Sequence, residues 1–332
     1  MNQITTTHRM MILIAALALI PVTAALAADE PRATLLDSRK IWDAAPHNAF
    51  TDLVRFKDQW FCVFREGKAH VSPDGALRVI QSKDGDTWTS AALIQASDAD
   101  LRDAKISVTP DGRLMLTGAG AMHKGPVKHQ SKAWFSDDGK SWSEAVDIGD
   151  ANLWLWRVTW HEKQAYGIGY STVKPQFVRL YSSQDGRAYA ALVDDLKIEG
   201  YPNETSILFR KDGTALCLLR RDPDLGLLGS AKPPYTQWTW KSTGTRLGGP
   251  HMIELPDGRL LAVVRLYDKP VRTSVCHIDA DTGKLTELLK LPSGGDTSYA
   301  GLVWHDDQLW ISYYSSHEKK TSIYLAKVKV GK

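Results

Sequence analysis

Three arginines stand where apolar, strand-like runs end, and their side chains could bind an anion. They are Arg65, Arg220 and Arg265. A guanidinium group is planar and pairs with a carboxylate through two parallel hydrogen bonds. Arginines that converge on one pocket would therefore indicate an anionic ligand such as an acidic sugar. Each arginine alone is equally compatible with an ion pair at the surface or between neighbouring parts of the fold.

The elements that carry these arginines repeat along the chain. An apolar run, a polar turn and a second apolar run occur six times, as in "LVRFKDQWFCVF" and "MIELPDGRLLAVV", with the turns about 45 to 53 residues apart. The turn residues are Asp58, Asp111, Glu162, Asp212, Asp257 and Asp306. Each unit is typical of a β-hairpin.

A second, shorter motif follows three of these hairpins. It reads "SKDGDTW" at Ser82–Trp88, "SDDGKSW" at Ser136–Trp142 and "SQDGRAY" at Ser183–Tyr189. The aspartate can accept hydrogen bonds from nearby backbone N–H groups, and the glycine can adopt a positive φ. The motif is therefore predicted to fold a turn, and its aspartates are not expected to be catalytic.

Six units of about 50 residues predict an all-β fold, a six-bladed β-propeller of four-stranded antiparallel blades. The segment "ATLLDSRKIW", residues 33–42, could complete the last blade and close the ring. A single domain is expected over residues 28–332. A β-sandwich is the weaker alternative, because it gives no reason for a regular six-fold period.

In a propeller, the loops that enter each first strand and leave each second strand converge over the central axis. The residues at the entering positions are His47, Arg102, Asp103, Arg157, Glu204, His251 and Tyr299, and those at the leaving positions include the three arginines. These residues are the candidates for a site.

At these positions the chain resembles the sialidase superfamily of six-bladed propellers, over essentially all of its mature length. The repeated turn is similar to that superfamily's Asp box, shortened by one residue. The run "NETSILFRKDGTALCLLRR" resembles the sialidase segment in which a glutamate polarises a catalytic tyrosine and an arginine binds the substrate carboxylate. The resemblance implies these roles for Glu204 and Arg220.

The same resemblance extends to blades two, five and six. It implies that Arg265 is another arginine of the carboxylate-binding triad, that Tyr299 is the nucleophile and that Asp103 contacts the sugar ring. A neutral tyrosine activated by a glutamate avoids the repulsion that a carboxylate nucleophile would meet from an anionic sugar. For Tyr299 the alternative is a core aromatic residue whose hydroxyl is satisfied.

The first blade departs from the sialidase pattern. Its first strand reads "HNAFTDLV" and lacks the arginine that sialidases carry there, so Arg65 is the nearest substitute. The loop that holds the acid aspartate in sialidases reads "GKAHVSPDGALRV", in which His70 and, less well placed, Asp74 could donate a proton. A histidine changes what can donate a proton at neutral pH.

Composition excludes other function classes. The formal net charge of +3 is small and dispersed, so no nucleic-acid partner is expected. The cysteines, Cys62, Cys217 and Cys276, have no metal-binding spacing and are expected to be buried free thiols. No metal and no cofactor are expected, and the protein is expected to be a monomer.

The first 27 residues are typical of a cleavable signal peptide. Arg9 precedes an apolar stretch, and Ala25-Leu26-Ala27 forms a small-residue cleavage site. Pro21 and Thr23 cut the stretch short of the ~20 residues that a span needs, so no membrane span is expected in the mature protein. Export to the periplasm or the exterior follows.

Three functions fit this sequence. The first is a sialidase-like hydrolase that removes a terminal acidic sugar from a glycan. The second is a uronate lyase on the same fold, in which His70 or His47 would take a proton from carbon and Tyr299 would act as the acid. The third is a non-catalytic glycan-binding propeller.

Overall fold

A computed structural model of the protein describes Met1 and residues 32–331. Twenty-four β-strands form six four-stranded antiparallel sheets, so the expected six-bladed propeller is confirmed. The expected signal peptide lies outside the described residues apart from Met1, and it stays a prediction together with the domain boundary that it sets. Within the described residues, no helix has the length and hydropathy that crossing a membrane requires.

The first three blades follow one another along the chain. Blade one contains β2 (His47–Phe56), β3 (Gln59–Gly67), β4 (Ala76–Ser82) and β5 (Thr89–Ile94). Blade two contains β6 (Ala99–Val108), β7 (Leu114–Met122), β8 (His129–Ser136) and β9 (Val146–Ile148). Blade three contains β10 (Leu153–His161), β11 (Gln164–Ser171), β12 (Val178–Ser183) and β13 (Ala190–Val193).

The last three blades continue in the same way until the ring closes. Blade four contains β14 (Tyr201–Phe209), β15 (Ala215–Asp222), β16 (Leu227–Ala231) and β17 (Thr239–Ser242). Blade five contains β18 (Leu247–Glu254), β19 (Leu260–Leu266), β20 (Arg272–Ile278) and β21 (Leu285–Lys290). Blade six contains β22 (Thr297–His305), β23 (Gln308–Ser315), β24 (Ser322–Val330) and β1 (Ala33–Trp42).

Blade six takes its outermost strand from the other end of the chain. The strand β1 pairs antiparallel with β24, from Ala33 opposite Val330 to Trp42 opposite Ile323. This is the closure expected for residues 33–42. The pairing leaves the last blade with the same four strands as the others, so the sheet ring has no gap at the chain ends.

The first strand of every blade is the innermost one. Each lies at one end of its sheet order, and each contacts the first strands of the two neighbouring blades, as β2 contacts β6 and β22. The six first strands therefore surround the axis. Since β3 runs antiparallel to β2, the start of each first strand and the end of the second strand meet at the same end of the axis, as His47 meets Gly67.

The repeated Ser-Asp-Gly corners join third and fourth strands, away from the axis. The Asp84 carboxylate accepts hydrogen bonds from the backbone N–H groups of Asp86 and Thr87, at 2.8 and 2.9 Å, and the Ser82 hydroxyl accepts one from Gly85. The corners at Ser136 and Ser183 make the same bonds. The three aspartates are exposed and bind their own turn, as the turn interpretation predicts.

The glycine of each corner also fits against the neighbouring blade. Gly85 has a φ of 78°, and a side chain there would meet the Trp310 ring of blade six, 2.3 Å from an added Cβ atom. Gly139 meets Phe61 in the same way. The corners thus contribute to packing between blades. The three cysteines are buried and unpaired in the hydrophobic core, as expected.

Candidate active site

Every first strand carries a β-bulge near its start. Two residues of the first strand lie opposite one residue of the second strand between Arg102 and Lys105, between Pro202 and Thr205 and at the matching place in the other four blades. A bulge turns a side chain out of the regular alternation. Three non-glycine residues at these bulges have left-handed backbones: Phe50, Asp103 and Tyr299, with φ of 64°, 54° and 54°. The bulges therefore direct side chains of different types toward the same end of the axis.

Tyr299, Glu204 and Arg220 form a hydrogen-bonded group across blades four and six. The Tyr299 hydroxyl donates to Glu204 Oε1 at 2.5 Å. Arg220 Nη1 donates to the same oxygen at 2.8 Å and to the Tyr299 hydroxyl oxygen at 3.2 Å. The structure thus brings together the three residues for which the resemblance implies a nucleophilic tyrosine, a glutamate that polarises it and an arginine that binds the substrate carboxylate.

Glu204 is held in place by two backbone groups as well. Its own N–H donates to the Asn203 side chain at 2.7 Å, and the N–H of Gly249 donates to Oε2 at 2.8 Å. An added side chain at Gly249 would lie 2.8 Å from the Tyr299 ring, and the residue has a φ of 55°. Glycine therefore allows blade five to approach both members of the pair.

The protonation states of this group follow from burial and neighbouring charge. Burial raises the pKa of Tyr299 well above its usual value, and the Glu204 charge adds to the effect. Burial opposes the positive charge of Arg220, but the Glu204 carboxylate together with Tyr299 and Tyr267 outweighs burial and raises the pKa of the guanidinium. At neutral pH the tyrosine is thus a neutral hydroxyl, with a carboxylate in position to accept its proton.

Asp103 is a buried carboxyl group close to this pair. Burial raises its pKa to about 6, against the lowering effect of Arg102 and Lys105, and the Glu204 charge raises it further. Its Oδ1 atom is buried and has no hydrogen-bond partner among the described residues. A buried, unsatisfied acid with a pKa near neutrality can donate or accept a proton in a reaction.

Arg265 belongs to a second group, beside the Tyr299 ring. Its guanidinium carbon lies 5.4 Å from the centre of that ring, and Nη2 donates to the Tyr314 hydroxyl at 2.8 Å and to Asp296 Oδ1 at 3.1 Å. His70 Nδ1 lies 2.8 Å from Asp296 Oδ2, and His47 Nε2 lies 3.5 Å from the same oxygen. These two histidines and Asp296 are the residues of the described chain that are grouped closely enough to hold a metal ion.

Phe50 and Arg102 connect the two groups. The Phe50 ring lies 5.2 Å from the Tyr299 ring and 5.1 Å from the His70 ring, and the Arg102 guanidinium lies over it at 5.4 Å. The carboxylate nearest to Arg102 is Asp100, at 3.9 Å. Asp100 pairs more closely with Arg65, at 2.8 Å, so Arg102 has no carboxylate partner at hydrogen-bond distance among the described residues.

The structure does not bring Arg65 or Asp74 to this site. The Arg65 side chain is 0% exposed and donates to Asp100, to the Ala69 carbonyl and to Ser72. Its N–H groups are therefore bound to Asp100 and to the 68–75 loop. Asp74 is exposed and accepts the N–H of Lys68 within that loop, and a hydrogen bond with Ser72 lowers its pKa. Both residues thus stabilise the loop that carries His70.

Arg157 and His251 point into the channel between the first strands. Arg157 Nη1 pairs with the buried Asp52 carboxylate at 2.8 Å, and His251 Nδ1 lies 3.0 Å from the Ala300 carbonyl. Burial lowers the pKa of His251 to about 3, and Arg157 lowers it further, so the ring is neutral. Burial lowers the pKa of the nearby Lys105 to about 8. Charged groups of both signs, Arg157, Asp52 and Lys105, thus face one another in the channel.

Sequence reasoning missed Asp296, Phe50 and Tyr267. The Tyr267 ring has the Arg220, Arg246 and Arg265 guanidinium carbons 5.8, 4.0 and 5.9 Å from its centre, and it thus sets the spacing of the arginines. Asp296 lies just before β22, so an alignment of the six strand starts could have revealed it. Tyr267 lies just past a strand end and gives no such signal.

No protein-family model and no curated protein matches this sequence. Solved structures do match. A protein of unknown function from Dyadobacter fermentans superposes with a TM-score of 0.81 at 19% identity, over 90% of this chain and 99% of that one.

Two enzymes share the fold at lower identity. An α-L-arabinofuranosidase of Fusarium graminearum has a TM-score of 0.69 at 12% identity, over 89% of this chain and 98% of that one. The sialidase of Trypanosoma rangeli has a TM-score of 0.65 at 12% identity, over 90% of this chain and 59% of that one. The chain thus has the propeller fold of known glycoside hydrolases.

Proposed function

We propose that this protein is an exported glycoside hydrolase that removes a terminal acidic sugar from a glycan and retains the configuration at the anomeric carbon. The observation that carries the proposal is the 2.5 Å hydrogen bond from Tyr299 to Glu204, with Arg220 bound to both. A core tyrosine needs one acceptor, whereas this hydroxyl has an acceptor for its proton and a cation beside its oxygen. These are the requirements of an activated nucleophile.

In the first step the Tyr299 oxygen attacks the anomeric carbon of the sugar. Its proton passes to Glu204 Oε1, and Arg220 stabilises the negative charge that develops on the phenolic oxygen. The glycosidic bond breaks, and the leaving oxygen takes a proton from the protonated Asp103. A covalent sugar–tyrosine intermediate remains, with Glu204 protonated and Asp103 ionised.

In the second step water releases the sugar. Ionised Asp103 removes one proton from a water molecule, whose oxygen attacks the anomeric carbon and displaces Tyr299. The departing tyrosine oxygen regains its proton from Glu204. Both carboxyl groups and the tyrosine thereby return to their starting states, and each proton is accounted for.

Preference for an acidic sugar rests on three arginines around Tyr299. Arg220 and Arg265 each have a carboxylate partner, Glu204 and Asp296, that offsets part of their charge. Arg102 is paired only at 3.9 Å. A sugar carboxylate near Arg102 would therefore meet a guanidinium group that has no close carboxylate partner among the described residues. The proposed anion site thus consists of Arg102, Arg220 and Arg265, without Arg65.

The second candidate is β-elimination from a uronic acid residue. It is favoured by the 2.8 Å contact between His70 and Asp296, since a carboxylate can orient an imidazole that removes a proton from carbon. In that reaction the leaving oxygen would take a proton from Tyr299 and a carbon–carbon double bond would form.

Product analysis separates these reactions. The mature protein is incubated with a panel of sialylated and uronic-acid oligosaccharides, and products are followed by mass spectrometry and ultraviolet absorbance. The proposal expects a free acidic monosaccharide with the mass of one added water. An unsaturated, ultraviolet-absorbing product would establish the lyase, and binding without turnover across the panel would indicate a glycan-binding module.

A further inference from the structure

The two histidines and one aspartate beside Arg265 have the composition of a transition-metal site. Asp296 Oδ2 lies 2.8 Å from His70 Nδ1 and 3.5 Å from His47 Nε2, and the three ligand atoms lie within 4.8 Å of one another. They come from the start of β2, from the 68–75 loop and from the residue before β22. The ring closure of blades one and six therefore assembles them from distant parts of the sequence.

The hydrogen bonds of the described residues do not satisfy this group. His47 is 8% exposed, its Nδ1 has no partner among the described residues, and its Nε2 is too far from Asp296 for a normal hydrogen bond. A buried imidazole nitrogen without a hydrogen-bond partner costs free energy. His47 Nε2 and His70 Nδ1 both face Asp296 Oδ2. A cation bound by all three atoms would fit this arrangement.

The opposite oxygen of Asp296 is already anchored. Oδ1 accepts from the Tyr314 hydroxyl at 2.7 Å and from Arg265 at 3.1 Å, which fixes the carboxylate plane and turns Oδ2 toward the histidines. Metal-binding carboxylates usually have such outer hydrogen bonds, and these partners strengthen metal affinity. Tyr314 and Arg265 would serve as this outer shell.

We propose that His47, His70 and Asp296 bind a divalent transition-metal ion of the Zn²⁺ class. Two imidazoles and one carboxylate suit such ions, and bond lengths of about 2.1 Å place tetrahedral ligand atoms about 3.4 Å apart. The His47–Asp296 separation of 3.5 Å already fits this value. His70 would retreat by about half an ångström to fit it, and its exposed position on a loop allows that shift.

Three protein ligands leave a fourth position open to a water molecule or a sugar oxygen. His70 is half-exposed, so this position is on the accessible side of the group. A bound ion would add positive charge beside Arg265, and it would leave Asp103 rather than His70 to move protons. The binding itself does not depend on the proposed hydrolase activity, although a role in holding an acidic sugar does.

The test measures metal binding alone, on the untagged full chain. After chelator treatment and buffer exchange, Zn²⁺ binding is followed by calorimetry and Co²⁺ binding by visible absorption. The proposal expects one ion per chain. His70→Ala and Asp296→Asn should each weaken the binding by at least about 10-fold, the smallest loss typical of disturbing a metal site.

His123→Ala is the matched control, because His123 is exposed and lies outside the group. It should bind the ion as the unaltered chain does. Failure of the unaltered chain to bind Zn²⁺ at 100-fold molar excess would overturn the proposal, and so would equal binding by all four proteins. Removing the exposed His70 side chain leaves the sheet core intact, so the outcome does not depend on a variant that fails to fold. Loss of turnover plays no part in this readout.

Discussion

The rim and the axis of this propeller both use aspartate at repeated positions, in opposite environments. At the rim, hydrogen bonds from the N–H groups of Thr87 and Asp86 lower the pKa of the exposed Asp84 to about 2. At the axis, burial raises the pKa of Asp103 to about 6, and one of its oxygens has no partner among the described residues. The rim carboxylate accepts hydrogen bonds from its own turn, whereas the axial carboxylate has an oxygen that accepts none from the described residues.

The difference shows how a repeated scaffold separates stability from chemistry. The three corners use the same serine, aspartate and glycine and make the same backbone bonds in blades one, two and three. The bulges recur with the same pairing pattern in all six blades, but their residues differ: Phe50, Asp103, Glu204 and Tyr299 occupy four of them. Constant residues at a repeated position indicate structure, and unlike residues at a repeated position indicate a site.

The sharpest test of this contrast is Tyr299→Phe. We expect the turnover number to fall by about 10³-fold or more, since the attacking oxygen is removed, while binding of an acidic sugar changes little. Tyr313→Phe is the matched control: Tyr313 lies in the same blade, and its hydroxyl bonds Pro292 and Ser38 away from the site. A Tyr299→Phe variant that keeps its turnover would exclude the tyrosine as nucleophile.

A second test is Asp103→Asn. Turnover should fall by about 10²- to 10⁴-fold, because the proton donor is lost. In the unaltered protein the first step needs protonated Asp103, so kcat/KM should decline as pH rises above about 6. The variant should show no such decline in its residual activity.

The same substitution should stabilise the fold at neutral pH. The pKa of Asp103 is raised from 3.8 to about 6, so its contribution to stability is present below pH 4 and is lost as pH rises through 6. Asparagine should therefore add up to about 3 kcal/mol to the free energy of unfolding at pH 7.5 and much less at pH 4. A gain that is equal at both pH values would point to the left-handed backbone of residue 103 instead.

Arg220→Lys and Arg65→Lys compare two arginines that lie near the ends of second strands. Arg220→Lys should weaken binding of an acidic sugar by about 10- to 100-fold, because an ammonium group cannot replace a planar, hydrogen-bonded fork. Arg65→Lys should leave binding unchanged and reduce the free energy of unfolding by about 1–3 kcal/mol, since Arg65 is buried among loop acceptors. Calorimetric titration and denaturant unfolding measure the two effects. An equal loss of affinity in both variants would show that Arg65 also takes part in binding the acidic sugar.

The smallest effect is expected at the rim. Asp138→Ala removes the acceptor for two backbone N–H groups and should cost about 0.5–2 kcal/mol of stability, as loss of a capping residue does. Turnover by the folded variant should stay at the level of the unaltered protein. A clear loss of turnover without unfolding would show that the corners take part in the chemistry.

The sequence predicted the repeated parts of this molecule and the residues that match a known pattern. Hairpin turns such as Asp58, the corners and the closing strand at Ala33–Trp42 could all be predicted, because each has a local signal. Glu204 and Tyr299 could be paired only through the resemblance, since 95 residues separate them. Asp296 could have been found only by aligning the six strand starts, and Tyr267 gave no signal of that kind.

Arg65 shows why some strand-end residues were misplaced. It pairs with the last residue before the bulge of its blade, as Arg265 does in blade five, yet it is fully buried. The cause is the 68–75 loop, whose carbonyls and Ser72 surround the guanidinium group. The conformation of a loop depends on bonds between its own residues, and no hydrophobic periodicity reports them.

The pairing of β1 with β24 also determines how the ring would respond to force. Ala33 lies opposite Val330, so the two ends of the paired strands leave the sheet side by side at the same edge. A pull on both ends would break the backbone hydrogen bonds of this pair one after another. The bonds would not share the force, as they do when two strands are sheared along each other. The ring should therefore open at low force at this seam, and blade six should separate before any other blade unfolds.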